Sequence, residues 1–156
     1  MKIKLIAIGK TSDSWAKEAI GVFEKRLKHY CTFEIVELPL AGNAGRTAEQ
    51  IKESEGTLLL SKLSTGDRLI LLDENGKTLT SVGFSDWIQQ QQLSGVKNLV
   101  FVIGGPYGFS EAVYKTAFAK ISLSPMTFTH QMVRLFFTEQ LYRAFTILKG
   151  EKYHHV

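Results

Sequence analysis

Apolar runs of strand length alternate with segments of helical periodicity along the whole chain, and this alternation most narrows the folds open to it. The runs are Ile3–Ile8, Phe33–Leu38, Arg68–Leu72, Leu99–Ile103 and a shorter one at Ile121–Leu123. Between them, Ser14–His29 carries Trp15, Ala19, Phe23 and Leu27 at steps of four, a face able to lie on a sheet. Thr47 followed by Gln50 is a capping-box pattern that opens the next helix. Trp87–Leu93 and Glu111–Lys120 read as shorter helices, capped by Ser85 and Ser110, and a last helix runs over Gln131–Lys149 and stops at Gly150. The pattern predicts an α/β fold with a largely parallel sheet, as one domain over 1–156, since 156 residues suffice for one core and not comfortably for two.

Composition excludes several classes. No stretch offers the roughly 18 consecutive apolar residues of a membrane span, and the N-terminal apolar run is too short, with no small-residue cleavage site behind it, to read as a signal peptide. The lone Cys31 cannot form an internal disulfide, which fits a reducing, cytoplasmic setting. A net charge of +4 leans mildly toward polyanions.

The stretch NLVFVIGGPYGFSEAV delivers a strand into three glycines, an arrangement that brings backbone close to a ligand. Gly104, Gly105 and Gly108 do not have the G-x-G-x-x-G spacing of a dinucleotide fingerprint. The sequence GKT at Gly76–Thr78 lacks the earlier glycine of a Walker A loop, the required position being Leu71, and DENGKT reads as a tight turn after the third strand. A G-x-S-x-G elbow and zinc-type cysteine and histidine spacings are also absent. A pocket is therefore expected where parallel strands end: at Leu72–Asp73, at Ile103–Gly105, and where Leu123 runs into SPMTFTH. Backbone groups there can bind the edges of a purine, with Leu72, Met126 and Phe128 as apolar walls. A nucleoside cofactor without phosphate, such as S-adenosylmethionine, suits such a site. The loop Pro39–Thr47 reads equally as a plain connection and as an RNA-contacting or active-site loop.

The blocks KIKLIAIGK, LDENGK, FVIGGPYG, SLSPMTFTHQMVRLFFTEQLYRAF and GEKYHH, in this order over essentially the whole chain, resemble the ribosomal RNA large-subunit methyltransferase H family of the SPOUT class. The resemblance implies a C-terminal trefoil knot, a homodimer formed through it, and S-adenosylmethionine-dependent methylation of N3 of a pseudouridine in large-subunit (23S) rRNA, on free rRNA or the assembled ribosome. It assigns cofactor binding to Leu72, Gly104, Leu123, Ser124, Pro125, Met126, Thr127 and Phe128. The tail departs at His155, where many relatives carry Lys or Arg. The rival readings are a SPOUT enzyme acting on tRNA and a non-catalytic, ribosome-associated RNA-binding module.

An imide N–H must lose its proton before it attacks a methyl sulfonium, so the chemistry calls for a base or an anion stabiliser. His130, Arg143, Tyr153 and His154 are candidates; His154 is favoured as base, with Arg143 as its electrostatic partner and Tyr153 beside them. His130 reads first as a capping or packing residue. His154 and His155 alone do not make a metal site. On the last helix Val133, Phe136, Phe137, Ala144, Ile147 and Leu148 are expected on the core face. Met132, Leu135, Tyr142 and Phe145 lie on the other side, where a second subunit or substrate would cover them. Lys25, Arg26, Lys28 and His29 form a basic run that can contact phosphates or simply face solvent.

Overall fold

The computed structural model describes residues 1–155. Strands β1 (Lys2–Ile8), β2 (Thr32–Leu38), β3 (Asp67–Thr78), β4 (Asn98–Ile103) and β5 (Ala119–Ser122) alternate with helices α1 (Ser14–Leu27), α2 (Ala48–Leu60), α3 (Ser81–Leu93), α4 (Glu111–Thr116) and α5 (His130–Leu148). The strands form one sheet in the order β2-β1-β4-β3-β5, and every pairing is parallel.

The apolar runs are continuous because both sheet faces are covered, and period-two alternation sorts their side chains. Ile3, Leu5, Ala7, Leu99, Phe101 and Ile103 pack under α1, α3 and α5, whereas Ile6, Ile8, Leu69, Leu71, Val100 and Val102 pack under α2 and α4. Three helix starts are capped by side chains: Thr47 and Gln50 exchange both capping-box bonds, at 2.9 and 3.2 Å, and Thr80 and Thr129 cap α3 and α5, whereas Ser110 stands at the N-cap of α4 without a cap bond.

The structure corrects several local expectations. The buried stripe of α1 is Ala16, Ile20 and Leu27, with Trp15 46% exposed, because 3.6 residues per turn rotates a strict step of four off the core. Helix α3 begins six residues before Trp87; Ser85 is not its cap but a buried hydroxyl donating to Ala144 O of α5 at 3.0 Å. Helix α4 ends at Thr116, and β5 takes up the chain at Ala119. On α5 the core stripe is Phe137, Leu141, Ala144 and Phe145. Phe145, expected outside, is thus inside, and Val133 and Phe136 are only partly buried.

DENGKT also differs from a simple turn. β3 pairs with β5 at Leu72↔Ile121, leaves the ladder, and returns at Lys77↔Ile121, so Asp73–Gly76 form an excursion in mid-strand. Asp73 Oδ1 accepts the Asn75 N–H at 2.8 Å and shapes it. Gly76 is obligatory for contact reasons, since a Cβ there would stand 2.7 Å from the Ile121 backbone.

Candidate active site

Because all strands are parallel, the ends of β3, β4 and β5 open on one edge of the sheet, and a cavity of about 540 Å3 lies there. Leu72, Gly104, Leu123, Ser124, Met126, Thr127 and Phe128 all line it, whereas Pro125 belongs to the same turn without lining it. The glycine segment forms a four-residue turn, Gly105 O accepting the Gly108 N–H at 3.0 Å, with Pro106 in its second position. The space beside Gly104 is taken from within the fold: a Cβ there would stand 3.0 Å from the Phe109 ring. After β5 the chain orders itself, Ser124 O accepting from Ser122 Oγ and Ser124 Oγ accepting from Met126 N, both at 2.9 Å. Phe128 is held edge-on to Phe136 with centroids 4.9 Å apart.

The electrostatics of this cavity are one-sided. Asp73 and Glu74 stand at it on the β3 excursion, and neither Lys nor Arg lines it. Tyr114 donates to Asp73 Oδ2 at 2.6 Å, and Thr127 Oγ1 to Glu74 Oε2 at 3.3 Å. Burial, together with that bond to Asp73, pushes the Tyr114 phenol up to about 12. His130 also lines it; burial and the charge of Arg134 hold its imidazole below the ordinary value, so it is neutral at physiological pH. His130 is not the cap of α5, that role belonging to Thr129. Glu74 and Tyr114 were not assigned to the pocket by sequence reasoning, whereas Asp73 and His130 fall in the segments expected to form it. The usable signal was LDENGK, acidic residues placed directly after the apolar run of β3.

Arg143, Tyr153 and His154 do come together, on the outer part of α5. Glu139 Oε1 accepts from Arg143 Nε at 3.0 Å, from Arg143 Nη2 at 2.5 Å and from the Tyr153 hydroxyl at 3.0 Å. The guanidinium lies 4.7 Å from the centroid of the Tyr153 ring, and Nη1 stands 3.4 Å from His154 Nδ1. Burial and the bond to Glu139 raise the Tyr153 phenol above its ordinary value. The tail is therefore fastened to α5. It is not in the cavity of its own chain: at 1.5 Å rise per residue, His130 and Arg143 are about 20 Å apart along the helix. Among the described residues, no group of three or more His, Cys, Asp or Glu side chains is placed to hold a metal ion.

The sheet is fully parallel, and the cavity beside its strands carries two carboxylates and neither Lys nor Arg. Residues 1–154 match the family described as predicted SPOUT methyltransferase, and the chain belongs to that family. Its relatives include proteins named ribosomal RNA large subunit methyltransferase H. That of Flavobacterium johnsoniae is 61% identical over 156 residues, covering 99% of both chains. That of Flavobacterium psychrophilum is 60% identical with the same coverage, and that of Cytophaga hutchinsonii is 54% identical over 155 residues, covering 99% of this chain and all of the other.

Proposed function

We propose that this chain is an S-adenosylmethionine-dependent methyltransferase of large-subunit rRNA that methylates N3 of a pseudouridine. The observation that carries the cofactor is the charge of the cavity. Two carboxylates and no lysine or arginine line it, which suits a sulfonium and an ammonium and offers nothing to a phosphate. A volume of about 540 Å3 accommodates a nucleoside, and Leu72, Met126 and Phe128 supply apolar walls. Leu72, Gly104 and the run Leu123–Phe128 would hold the cofactor, which supplies an electrophilic methyl group on positively charged sulfur. Full-length identity to relatives with that rRNA name supports the substrate.

The residues of the chain must then place the base and remove its imide proton. We assign the proton to His154, with Arg143 beside it to stabilise the developing anion and Tyr153 to hold the pair in place. The guanidinium can only donate, so in this contact His154 Nδ1 is the acceptor and Nε2 carries the imidazole hydrogen; Nδ1 is then the nitrogen that takes the imide proton, once the substrate draws it off Arg143. Methyl transfer needs reacting atoms in near contact, and neither Arg143, Tyr153 nor His154 lines the cavity of its own chain. A second copy, with its α5 packed antiparallel on the first, would bring its tail to that cavity. This supports a two-fold dimer, as do Met126, 70% exposed, and Phe128, 37% exposed, at the cavity rim beside α5. The passage of the segment after β5 beside the Asp73–Gly76 excursion supports a knotted C-terminal half. No helix of the described residues is long and apolar enough to cross a membrane, which fits work on ribosomes in the cytoplasm.

The test is transfer of labelled methyl from S-adenosylmethionine to ribosomes, free large-subunit rRNA and tRNA, followed by mapping of the methylated base. Label at N3 of a pseudouridine in large-subunit rRNA is the expected result. Label in tRNA alone, or none in any substrate, overturns the reading.

A further inference from the structure

On the α2 and α4 side of the glycine turn is a second, much smaller cavity, of about 10 Å3, lined by Glu55 and Ser110 and sharing Gly104, Gly105 and Gly108 with the large one. Glu55 is 4% exposed and Ser110 1% exposed. Glu55 Oε1 accepts the Ala41 N–H at 3.2 Å, whereas Glu55 Oε2 and Ser110 Oγ are buried without a protein partner. The cation lining this cavity, Lys52, is paired with Glu49 at 2.7 Å and not with Glu55. A buried carboxylate left in this state costs stability, so its retention calls for a role.

Gly105 shows what the carboxylate does. A Cβ at this position would fall on Glu55 Oε2 and stand 3.0 Å from Glu55 Cδ. Gly105 is not among the residues with positive φ, so its backbone is open to other residues, and what a Cβ meets there is the end of the Glu55 side chain, which would have to move from its place under the turn. The neighbouring Gly56 repeats the device: a Cβ on it would fall on Ser110 Oγ and stand 3.2 Å from Val113 Cγ2. Residues 55 and 56 of α2 therefore seat directly on the turn and on the start of α4.

We propose that Glu55 is a positioning residue for the cofactor cradle: its carboxylate is the seat of the Gly105–Gly108 turn, and through Ala41 it ties that turn to the Pro39–Thr47 loop. Gly104 and Gly105 face the large cavity from a backbone whose height is set by this seat, so affinity for S-adenosylmethionine depends on a residue that does not touch it. The small cavity is of the size that holds one water, which would bridge Glu55 Oε2 and Ser110 Oγ. Burial raises the Glu55 carboxyl above the usual carboxylate range, with the Ala41 N–H acting the other way. The inference rests on the large cavity being the cofactor site.

A double-mutant cycle read by calorimetry with S-adenosylmethionine tests it. Gly105→Ala and Glu55→Ala should each weaken binding about 10-fold. The double variant should bind more tightly than Gly105→Ala alone, because the new methyl group enters the space that the carboxylate has left. Glu55→Gln, with the same shape and an oxygen for Ala41, should stay within about 3-fold of wild type. Wild-type affinity in Glu55→Ala, or a double variant no better than Gly105→Ala, overturns the proposal. Should Glu55→Ala fail to fold, Glu55→Asp takes its place: it keeps the charge and withdraws the carboxylate, so binding weaker than in Glu55→Gln supports the proposal and wild-type affinity overturns it. Absence of binding by wild-type protein would overturn the cofactor reading instead, and thermal midpoints of the unliganded variants would still report whether Glu55 and Gly105 are coupled.

Discussion

Arg134 of α5 donates to the carbonyl of Gly9, just past β1, at 2.8 Å, across a sequence separation of 125 residues. It also donates to Ile8 O at 3.1 Å, to Thr11 Oγ1 at 2.7 Å and to Glu37 Oε1 at 3.4 Å, and is only 1% exposed. The half of α5 it anchors carries His130 and Val133 of the cavity wall. Replacing it takes a donor from two carbonyls and from a carboxylate that is left with Thr11. Arg134→Met should therefore cost about 2 kcal/mol in denaturant unfolding, the scale for leaving buried acceptors unpaired. Arg134→Lys should recover little, since one ammonium lacks the planar fork that spans these acceptors.

The same network fixes a response to acid. Burial alone would raise the Glu37 carboxyl, but the hydroxyl and N–H of Thr11 and the charge of Arg134 bring it below the ordinary carboxylate value. A depressed carboxyl means that the unfolded chain binds the proton more readily, so this stabilisation is present above about pH 4.5 and is lost as pH falls through the folded value. Unfolding curves from pH 6 downward should show an acid-side loss that Glu37→Gln reduces.

These contacts mark the boundary of what the sequence discloses. β1 and β4 were legible because a strand buried on both faces is a continuous apolar run, whatever lies around it. The cavity residues from Leu72 to Phe128 were legible because parallel strand ends are where such folds bind ligands. Arg134 was not: among outward-looking residues of α5 it reads as a surface charge, and its acceptors lie at the other end of the chain. Glu55 and Gly105 form a similar pair, distant in sequence and without a local pattern. The order of the tail was hidden too, since the seat of Tyr153 is a single carboxylate on α5, Glu139.

The acidic side of the cavity should discriminate charge. Asp73→Asn and Glu74→Gln should each lower affinity for S-adenosylmethionine by about 5- to 10-fold, the scale of one carboxylate acting on a nearby cation through a partly solvated site. Affinity for S-adenosylhomocysteine, whose sulfur is uncharged, should fall less. Calorimetry with both ligands checks this, and equal losses would remove the carboxylates from cofactor recognition.

Tyr114 gives an alkaline counterpart. Its phenol, near 10 when unperturbed, is pushed up to about 12 by burial and by its bond to Asp73. A raised value means that the folded state holds the proton more tightly, so the contribution is complete below about pH 10 and is lost as pH rises toward 12. Tyr114→Phe should be indifferent to that range, as measured by thermal midpoints.

If the tail of one copy serves the cavity of the other, two defective chains should repair each other. A Gly104→Val chain has a spoiled cavity and a sound tail; a chain lacking Tyr153 onward has the reverse. Mixed and reassembled, half the dimers would contain both chains and one whole site each, giving about a quarter of wild-type activity. Mixtures as inactive as their components would place the site within a single chain.

The proton acceptor is open to a direct contest between two histidines. His130 is at the cavity and neutral near pH 7, held below the ordinary histidine value by burial and by Arg134. His154 is at the tail with Arg143 3.4 Å away, the partner that an imide anion needs. His154→Ala should lower turnover by about 10²- to 10⁴-fold, the scale of a general base, and leave calorimetric affinity for S-adenosylmethionine unchanged. His130→Ala should instead weaken that affinity, because it removes part of the cavity wall. If the losses are reversed, His130 takes the proton. The rate would then rise with pH through a value below 6.5, because its lowered proton affinity frees the base form at lower pH.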